Sequence, residues 1–219
     1  MSGQVFNLNS FLSCPVMGIL RGISLEQTEP VLEAAHNAGL RYVEVTLNTP
    51  DAFTIIKNAS RTFAGRFTFG AGTVLSVDEA RQALDSGATF LVSPTLNETV
   101  AAFCAKEKVA YFPGAFTPTE IERAWNASAA MVKVFPASQL GPGYFKEIKG
   151  PFSDIKMMAV GGVRAGNAHE YLKSGAKAVA VGGSIFSRER LASGDTASIQ
   201  KDLQEILFAV RGFFTKMSS

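Results

Sequence analysis

The sequence predicts an α/β protein and, within that class, a closed (β/α)8 TIM barrel preceded by a short N-terminal helix. Apolar strand-like segments alternate eight times with segments of helical periodicity along the 219 residues. A motif in which a helix end and a small turn residue precede a strand recurs with its turn at positions 39, 87, 128 and 175. Each interval holds two strand–helix units, so the motif marks every second strand. Eight such units favour a barrel over the alternative, an open doubly wound sheet.

The predicted strands are short apolar runs that end at glycine, proline or a polar turn. In chain order they cover residues 16–20, 42–47, 67–73, 90–93, 109–112, 131–136, 155–160 and 177–181. The predicted helices show apolar residues at helical spacing, and several begin at a capping residue such as Ser76 or at Thr117-Pro118. They cover residues 7–12, 25–38, 51–62, 76–87, 97–106, 117–126, 143–149, 167–174 and 199–213.

Composition narrows the classes of function. The chain is 47 % hydrophobic and 18 % charged, with a net charge of +2 and no basic or acidic block, which gives no support for a nucleic-acid or anionic-membrane partner. No apolar run is long enough to span a membrane. A single barrel domain is predicted over residues 1–219. Its N-terminal helical segment, residues 1–14, lacks the pattern of a signal peptide. The two cysteines and two histidines are isolated, so we expect reduced thiols, a cytoplasmic protein and no metal site.

Lys133 stands in the middle of the sixth predicted strand, which is otherwise apolar. Side chains alternate across a strand, so Lys133 points into the barrel if Val132 and Val134 pack outward under helices. Burial lowers the pKa of a lysine, and a neutral amine can attack a carbonyl to form a Schiff base. The alternative is an edge strand with Lys133 in water.

The repeated motif places a carboxylate in the same layer as this lysine. The residues five positions after each turn residue are Glu44, Val92, Lys133 and Ala180. Alternate strands of a barrel contribute one interior layer, so Glu44 and Lys133 are expected to face inward together. Two charged groups in a core are costly unless they have a role. A structural salt bridge is one such role, and general acid/base catalysis beside a Schiff base is the other.

Glycine pairs follow the last two predicted strands. Gly161-Gly162 and Gly182-Gly183-Ser184 stand where many barrels form a phosphate cradle from backbone N–H groups. Ordinary tight turns are the alternative for either pair. After the third strand, Thr73 either donates its hydroxyl to a substrate oxygen or caps the next helix.

Several motifs together resemble a known family across nearly the whole barrel. They are Glu44-Val-Thr-Leu-Asn-Thr-Pro50, Gly70-Ala-Gly-Thr-Val-Leu75, Ser93-Pro94, Pro113-Gly114, Val132-Lys-Val-Phe-Pro-Ala137 and the two glycine pairs. The sequence resembles the 2-keto-3-deoxy-6-phosphogluconate (KDPG) and 4-hydroxy-2-oxoglutarate (KHG) aldolases, a family that includes the 2-keto-3-deoxy-6-phosphogalactonate enzymes.

The resemblance implies a homotrimeric class I aldolase without a cofactor. It implies that Lys133 forms the Schiff base and that Glu44 is the general acid/base. The residues that it implies for the pyruvate pocket are Thr73, Pro94 and Phe135, and those for the phosphate are Gly162, Gly183 and Ser184. The expected substrate is KDPG, cleaved to pyruvate and glyceraldehyde 3-phosphate, with 4-hydroxy-2-oxoglutarate as a second substrate.

One position departs from the phosphogluconate pattern. Asn48 stands where those enzymes carry an arginine, whereas Arg21 ends the first strand, a combination more similar to the phosphogalactonate branch. We expect Arg21 to hold the substrate carboxylate; the alternative is an ion pair with Glu26 or Asp51. The alternatives for function are a phosphogalactonate aldolase, another phosphate-binding barrel synthase or isomerase, and a non-catalytic phospho-ligand barrel.

Overall fold

The computed structural model describes residues 6–217, apart from the side chains of 216 and 217. Its strands are β1 (Val16–Leu20), β2 (Tyr42–Thr46), β3 (Thr68–Gly72), β4 (Phe90–Val92), β5 (Ala110–Phe112), β6 (Gly114–Ala115), β7 (Val132–Val134), β8 (Met157–Val160) and β9 (Ala178–Val181). All neighbouring strands are parallel, in the order β5-β4-β3-β2-β1-β9-β8-β7-β6. This arrangement confirms the predicted α/β barrel.

The barrel closes at Pro113, which separates β5 from β6. These two short strands lie at opposite ends of the strand order but are consecutive in the chain. Across the junction, Ala130 N donates to Tyr111 O (2.8 Å) and Lys133 N donates to Pro113 O (2.9 Å). The expected stop of the fifth strand at Pro113 is confirmed, because β5 ends at Phe112, but the two-residue β6 beyond it was not predicted. Proline lacks an N–H and interrupts the ladder, but the strand resumes beyond it.

The helices are α1 (Leu8–Leu12), α2 (Leu25–Ala38), α3 (Ala52–Thr62), α4 (Val77–Asp85), α5 (Glu98–Glu107), α6 (Pro118–Asn126), α7 (Ala137–Lys149), α8 (Ala165–Lys173), α9 (Arg188–Ser193) and α10 (Thr196–Met217). Ser24, Ser76 and Thr117 each form a capping box, which satisfies N–H groups at the start of α2, α4 and α6. Across the described part of the chain, no helix combines the length and apolar character needed to cross a bilayer.

The clearest differences from the sequence-based expectation concern the seventh helix and α9, while α10 also extends beyond the expected residues 199–213 at both ends. The seventh begins at Ala137 instead of residue 143, and Gly141 breaks it with a non-helical φ of 72° and ψ of 168°. The Gly-Pro-Gly segment hid the first turn because these residues usually mark a loop. The short α9 was not predicted, although Ser187 caps its start and Gly194 ends it with a φ of 69°.

The interior of the barrel is apolar where the chain enters it. Phe6, Phe11, Tyr42, Phe90 and Phe112 pack ring against ring, with centroids 4.9–6.3 Å apart, and we call them the aromatic plug. Tyr42 and Phe90 open β2 and β4, so the plug fills the end of the barrel at which these strands begin. The charged side chains that remain inside the barrel therefore lie beyond the plug, toward the carboxyl ends of the strands.

Candidate active site

Lys133 is buried in the barrel wall. Its side chain is 4 % exposed, while Val132 and Val134 pack into the hydrophobic layer between the strands and helices. The ammonium position lies 5.4 Å from the centre of the Phe135 ring. Burial lowers the pKa of Lys133, and this effect outweighs the attraction of Glu44, while Arg21 lowers the pKa further. A lysine in this environment holds a larger neutral, nucleophilic fraction than one in water.

Glu44 faces the same interior from β2 and is 1 % exposed. Among residues 6–217, neither of its carboxyl oxygens has a hydrogen-bond partner. The carboxyl group lies directly over Gly72, where an added Cβ would stand 2.7 Å from Oε1. Burial raises the pKa of Glu44, although Lys133 and Arg21 partly oppose this shift. A carboxyl group with a raised pKa is suited to both taking up and returning a proton during a reaction.

The two buried groups do not form a structural salt bridge. The ion pairs found among the described residues are Arg66–Glu33 and Arg190–Asp202, both near the surface. A buried carboxyl that lacks a partner is costly, so its retention calls for a functional reason. The arrangement thus favours the acid/base role over the salt-bridge alternative.

A cavity of about 270 Å³ opens above Lys133 at the carboxyl ends of the strands. The predicted site residues that line it are Arg21, Lys133, Phe135, Gly161, Gly162, Gly182, Gly183 and Ser184. Arg21 is exposed, directly after β1, and has no ion pair with Glu26 or Asp51. The cavity thus places a cation, a buried amine and two glycine turns around one space.

The two glycine turns are tied to each other. Gly161 and Gly162 have positive φ values of 100° and 73°, a conformation that other residues adopt only with strain. Ser184 Oγ donates to Val163 O (2.7 Å), which links the turn after β9 to the turn after β8. Among the described residues, the N–H groups of Gly183 and Ser184 have no backbone partner. Free N–H groups in the turn after β9, tied to the turn after β8, suit an anion such as a phosphate.

A sequence model of the KDPG and KHG aldolase family matches residues 9–202. The chain belongs to this family. It is an aldolase, and hence a carbon–carbon lyase.

Relatives and solved structures agree with the family assignment. A probable 2-dehydro-3-deoxy-6-phosphogalactonate aldolase from Rhizobium meliloti is 35 % identical over 83 % of this chain and 85 % of its own. A 2-dehydro-3-deoxy-phosphogluconate aldolase from Treponema pallidum is also 35 % identical, over 84 % and 90 %. The structure of a KDPG aldolase from Legionella pneumophila, with pyruvate captured as a covalent carbinolamine, superposes with a TM-score of 0.84 at 25 % identity, covering 92 % of this chain and 98 % of that one.

Four residues expected in the aldolase site lie outside the lining of the Lys133 cavity: the buried Glu44, and also Thr73, Pro94 and Asn48. The last three stand at other places around the barrel mouth. Pro94 lines a neighbouring cavity of about 610 Å³, which meets the first at Phe135. Thr73 follows β3 with a φ of 58°, and Asn48 follows β2 with its side chain exposed. Thr73 does not cap α4, since Ser76 does. The roles of these three residues stay predictions.

Sequence reasoning did not nominate four residues of the cavity wall, Ile19, Val160, Phe186 and Arg188, of which Arg188 alone is charged. It is the first residue of α9, its side chain is exposed, and it lines the cavity beside Gly183 and Ser184. The signal was the Ser187 cap before a short polar segment that ends at Gly194. Within the described ranges, no group of three or more histidine, cysteine or acidic side chains is arranged to hold a metal ion.

Proposed function

We propose that this aldolase is a class I enzyme that cleaves KDPG to pyruvate and glyceraldehyde 3-phosphate and also accepts 4-hydroxy-2-oxoglutarate. The observation that carries the proposal is the buried Lys133, whose pKa is lowered by burial, at the wall of a cavity that also contains two linked glycine turns. A nucleophilic amine and an anion cradle are the parts that a phosphorylated 2-keto acid requires.

The reaction begins at the substrate carbonyl. Lys133 Nζ attacks C2, and loss of water from the resulting carbinolamine gives an iminium ion. Glu44 then takes the proton of the C4 hydroxyl, the C3–C4 bond breaks, and its electron pair flows into the iminium to form an enamine. Glyceraldehyde 3-phosphate leaves, Glu44 returns its proton to C3, and water hydrolyses the iminium to release pyruvate. Because the iminium accepts the electrons, the reaction needs no metal or organic cofactor.

The remaining site residues hold the two charged ends of the substrate. Arg21 binds the carboxylate next to C2, because a guanidinium matches a carboxylate with two hydrogen bonds. Around the pyruvate portion stand Thr73, Pro94 and Phe135. Asn48 acts near C4. The phosphate rests on the turns formed by Gly161, Gly162, Gly182, Gly183 and Ser184, where unpaired N–H groups support an anion.

The covalent chemistry has support from a relative. The Legionella structure captured pyruvate as a carbinolamine, the species that precedes the iminium. We infer the same chemistry here at Lys133, because this lysine is buried, lines the candidate cavity and has a lowered pKa.

A second candidate substrate is 2-keto-3-deoxy-6-phosphogalactonate, the C4 epimer. Two observations favour it: Asn48 replaces the arginine of the phosphogluconate enzymes, and a 35 % identical relative is named a probable phosphogalactonate aldolase. The kcat/KM values for the two epimers, measured side by side, decide between the candidates.

We further propose that the enzyme is a cytoplasmic homotrimer, each chain forming a single domain. Leu75 and Phe116 are 52 % and 39 % exposed, and each follows a strand on the carboxyl-terminal rim. Large apolar side chains on one rim suit a contact between copies of the chain. Light scattering after size exclusion tests the trimer, and a monomer mass would contradict it.

Borohydride reduction in the presence of pyruvate, followed by peptide mass mapping, tests the proposed function. We expect the label on Lys133 alone. A phosphate-binding barrel with synthase or isomerase activity, or a non-catalytic phospho-ligand barrel, would give no pyruvate adduct. Label on another lysine, or no label on an enzyme that cleaves KDPG, would remove the mechanism.

A further inference from the structure

We propose that Arg188 is the residue that makes this aldolase prefer phosphorylated aldehydes over their unphosphorylated counterparts. This inference rests on the proposed function and adds a specificity-determining cation to the glycine turns. The substrate carries an anion at each end, a carboxylate beside C2 and a phosphate on C6. The cavity has an arginine for each, Arg21 after β1 and Arg188 after β9.

The two arginines line the cavity from different elements, Arg21 after β1 and Arg188 at the start of α9. Arg21 lowers the pKa of both Lys133 and Glu44, so it acts at the end where the carbonyl is attacked. Arg188 contributes to neither shift. It instead follows the turn in which Gly183 and Ser184 have unpaired N–H groups. Arg188 therefore serves the phosphate end.

Arg188 is also free to bind an anion. Among residues 6–217, its guanidinium has no hydrogen bond and no ion pair within the protein. Arg190 differs, since it donates to Asp202 (2.6 Å) and to Ile185 O (3.1 Å). The Arg190 contacts tie α9 to both α10 and the turn after β9. They fix the start of α9, and with it Arg188, beside the cavity.

The glycine turns alone offer neutral N–H donors, which supply fewer and weaker interactions with a phosphate than a guanidinium does. Arginine binds phosphate through paired, charge-assisted hydrogen bonds, which are about twice as strong as neutral ones. An unphosphorylated aldehyde would leave Arg188 in water and lose nothing at the reaction centre. The preference for phosphorylated aldehydes should thus depend on Arg188, and Schiff-base formation should not.

The experiment uses aldol addition, in which pyruvate is held constant and the aldehyde is either glyceraldehyde 3-phosphate or D-glyceraldehyde. The two aldehydes differ only by the phosphate. For Arg188→Gln, we expect the ratio of kcat/KM for the phosphorylated aldehyde over the unphosphorylated one to fall by at least about tenfold, mainly through KM. Arg164→Gln is the matched control, because Arg164 is an exposed arginine near the other glycine turn but outside the cavity lining.

Calorimetric binding of inorganic phosphate provides a readout that needs no catalysis. We expect Arg188→Gln to weaken phosphate binding by at least about tenfold and Arg164→Gln to leave it within about twofold. An unchanged aldehyde ratio and unchanged phosphate binding in Arg188→Gln would overturn the inference, as would an equal loss with both aldehydes. Failure of the wild-type protein to trap pyruvate would instead refute the proposed function, and phosphate binding would then still test Arg188.

Discussion

Gly72→Ala tests whether the Glu44 carboxyl group acts from the position in which the structure holds it. Gly72 ends β3, and its Cα faces the Glu44 side chain of β2. An added Cβ would stand 2.7 Å from Oε1 and 2.8 Å from Cδ of Glu44. The strand backbones cannot absorb this contact, because β2 and β3 are paired in register along their whole length. The carboxyl group must therefore move.

The size of the displacement sets the expected loss. Favourable contacts between carbon atoms lie near 3.5 Å, so the carboxyl group shifts by roughly 0.7 Å. A misplacement of about 1 Å can cost about 10²-fold in rate, so kcat should fall by about 10- to 100-fold. Overpacking of a core costs about 1–3 kcal/mol, which for a chain of this size lowers Tm by about 2–12 °C. The three atoms nearest the added methyl group all belong to Glu44, so Schiff-base formation at Lys133 should persist.

The assay measures pyruvate release, borohydride trapping of pyruvate and thermal unfolding on the same preparation. Gly166→Ala is the control, because Gly166 lies in α8 with nothing within 4 Å of its added Cβ. That variant should keep full turnover. If Gly72→Ala also kept full turnover, or if trapping fell by the same factor as turnover, the proton-transfer role of Glu44 in this position would be refuted.

Four further outcomes are expected. Glu44→Gln should keep pyruvate trapping but lose about 10²–10⁴-fold in turnover, and near-normal cleavage would assign the proton transfer to another group. Arg21→Ala should weaken trapping at least about tenfold, while Asn48→Ala acts mainly on the choice between epimers; the reverse order would put the carboxylate beside β2. Because burial lowers the pKa of Lys133, the trapping rate should rise with pH and reach half its maximum below about 10.4, the pKa of an exposed lysine. A midpoint at the pKa of an exposed lysine would contradict the lowered pKa of Lys133. EDTA should leave turnover intact, and a loss restored by a divalent ion would indicate a metal-dependent aldolase.

The sequence was informative about which side chains face inward. Alternation along a strand and the repeated helix–turn–strand motif placed Glu44, Val92, Lys133 and Ala180 in the interior, and all four are buried. This success has a physical basis, because the faces of a strand are fixed by its period of two and the repeat fixes the register between units. The barrel fold follows from the same repeat.

Loops and strand ends were harder to predict, because their direction depends on contacts distant in sequence. Nothing local shows that Arg190 anchors α9 through Asp202 and so holds Arg188 at the cavity. Likewise, the end of a strand can be read at Thr73, but its left-handed φ and the course of the next loop cannot. A residue at the mouth of a barrel is thus easier to nominate from sequence than to assign to one cavity.

The aromatic plug leaves the candidate active site open at one end of the barrel only. The end of the barrel at which the strands begin is closed to solvent by Phe11, Phe90 and Phe112. Within the described barrel, substrate, products and water therefore enter and leave through the opposite end. Under the proposed mechanism, the fragment nearer that mouth is the phosphorylated aldehyde, while pyruvate remains bonded to Lys133 beneath it. Release is then ordered by geometry: the aldehyde departs first, and only then can water reach the iminium and free the deeper product.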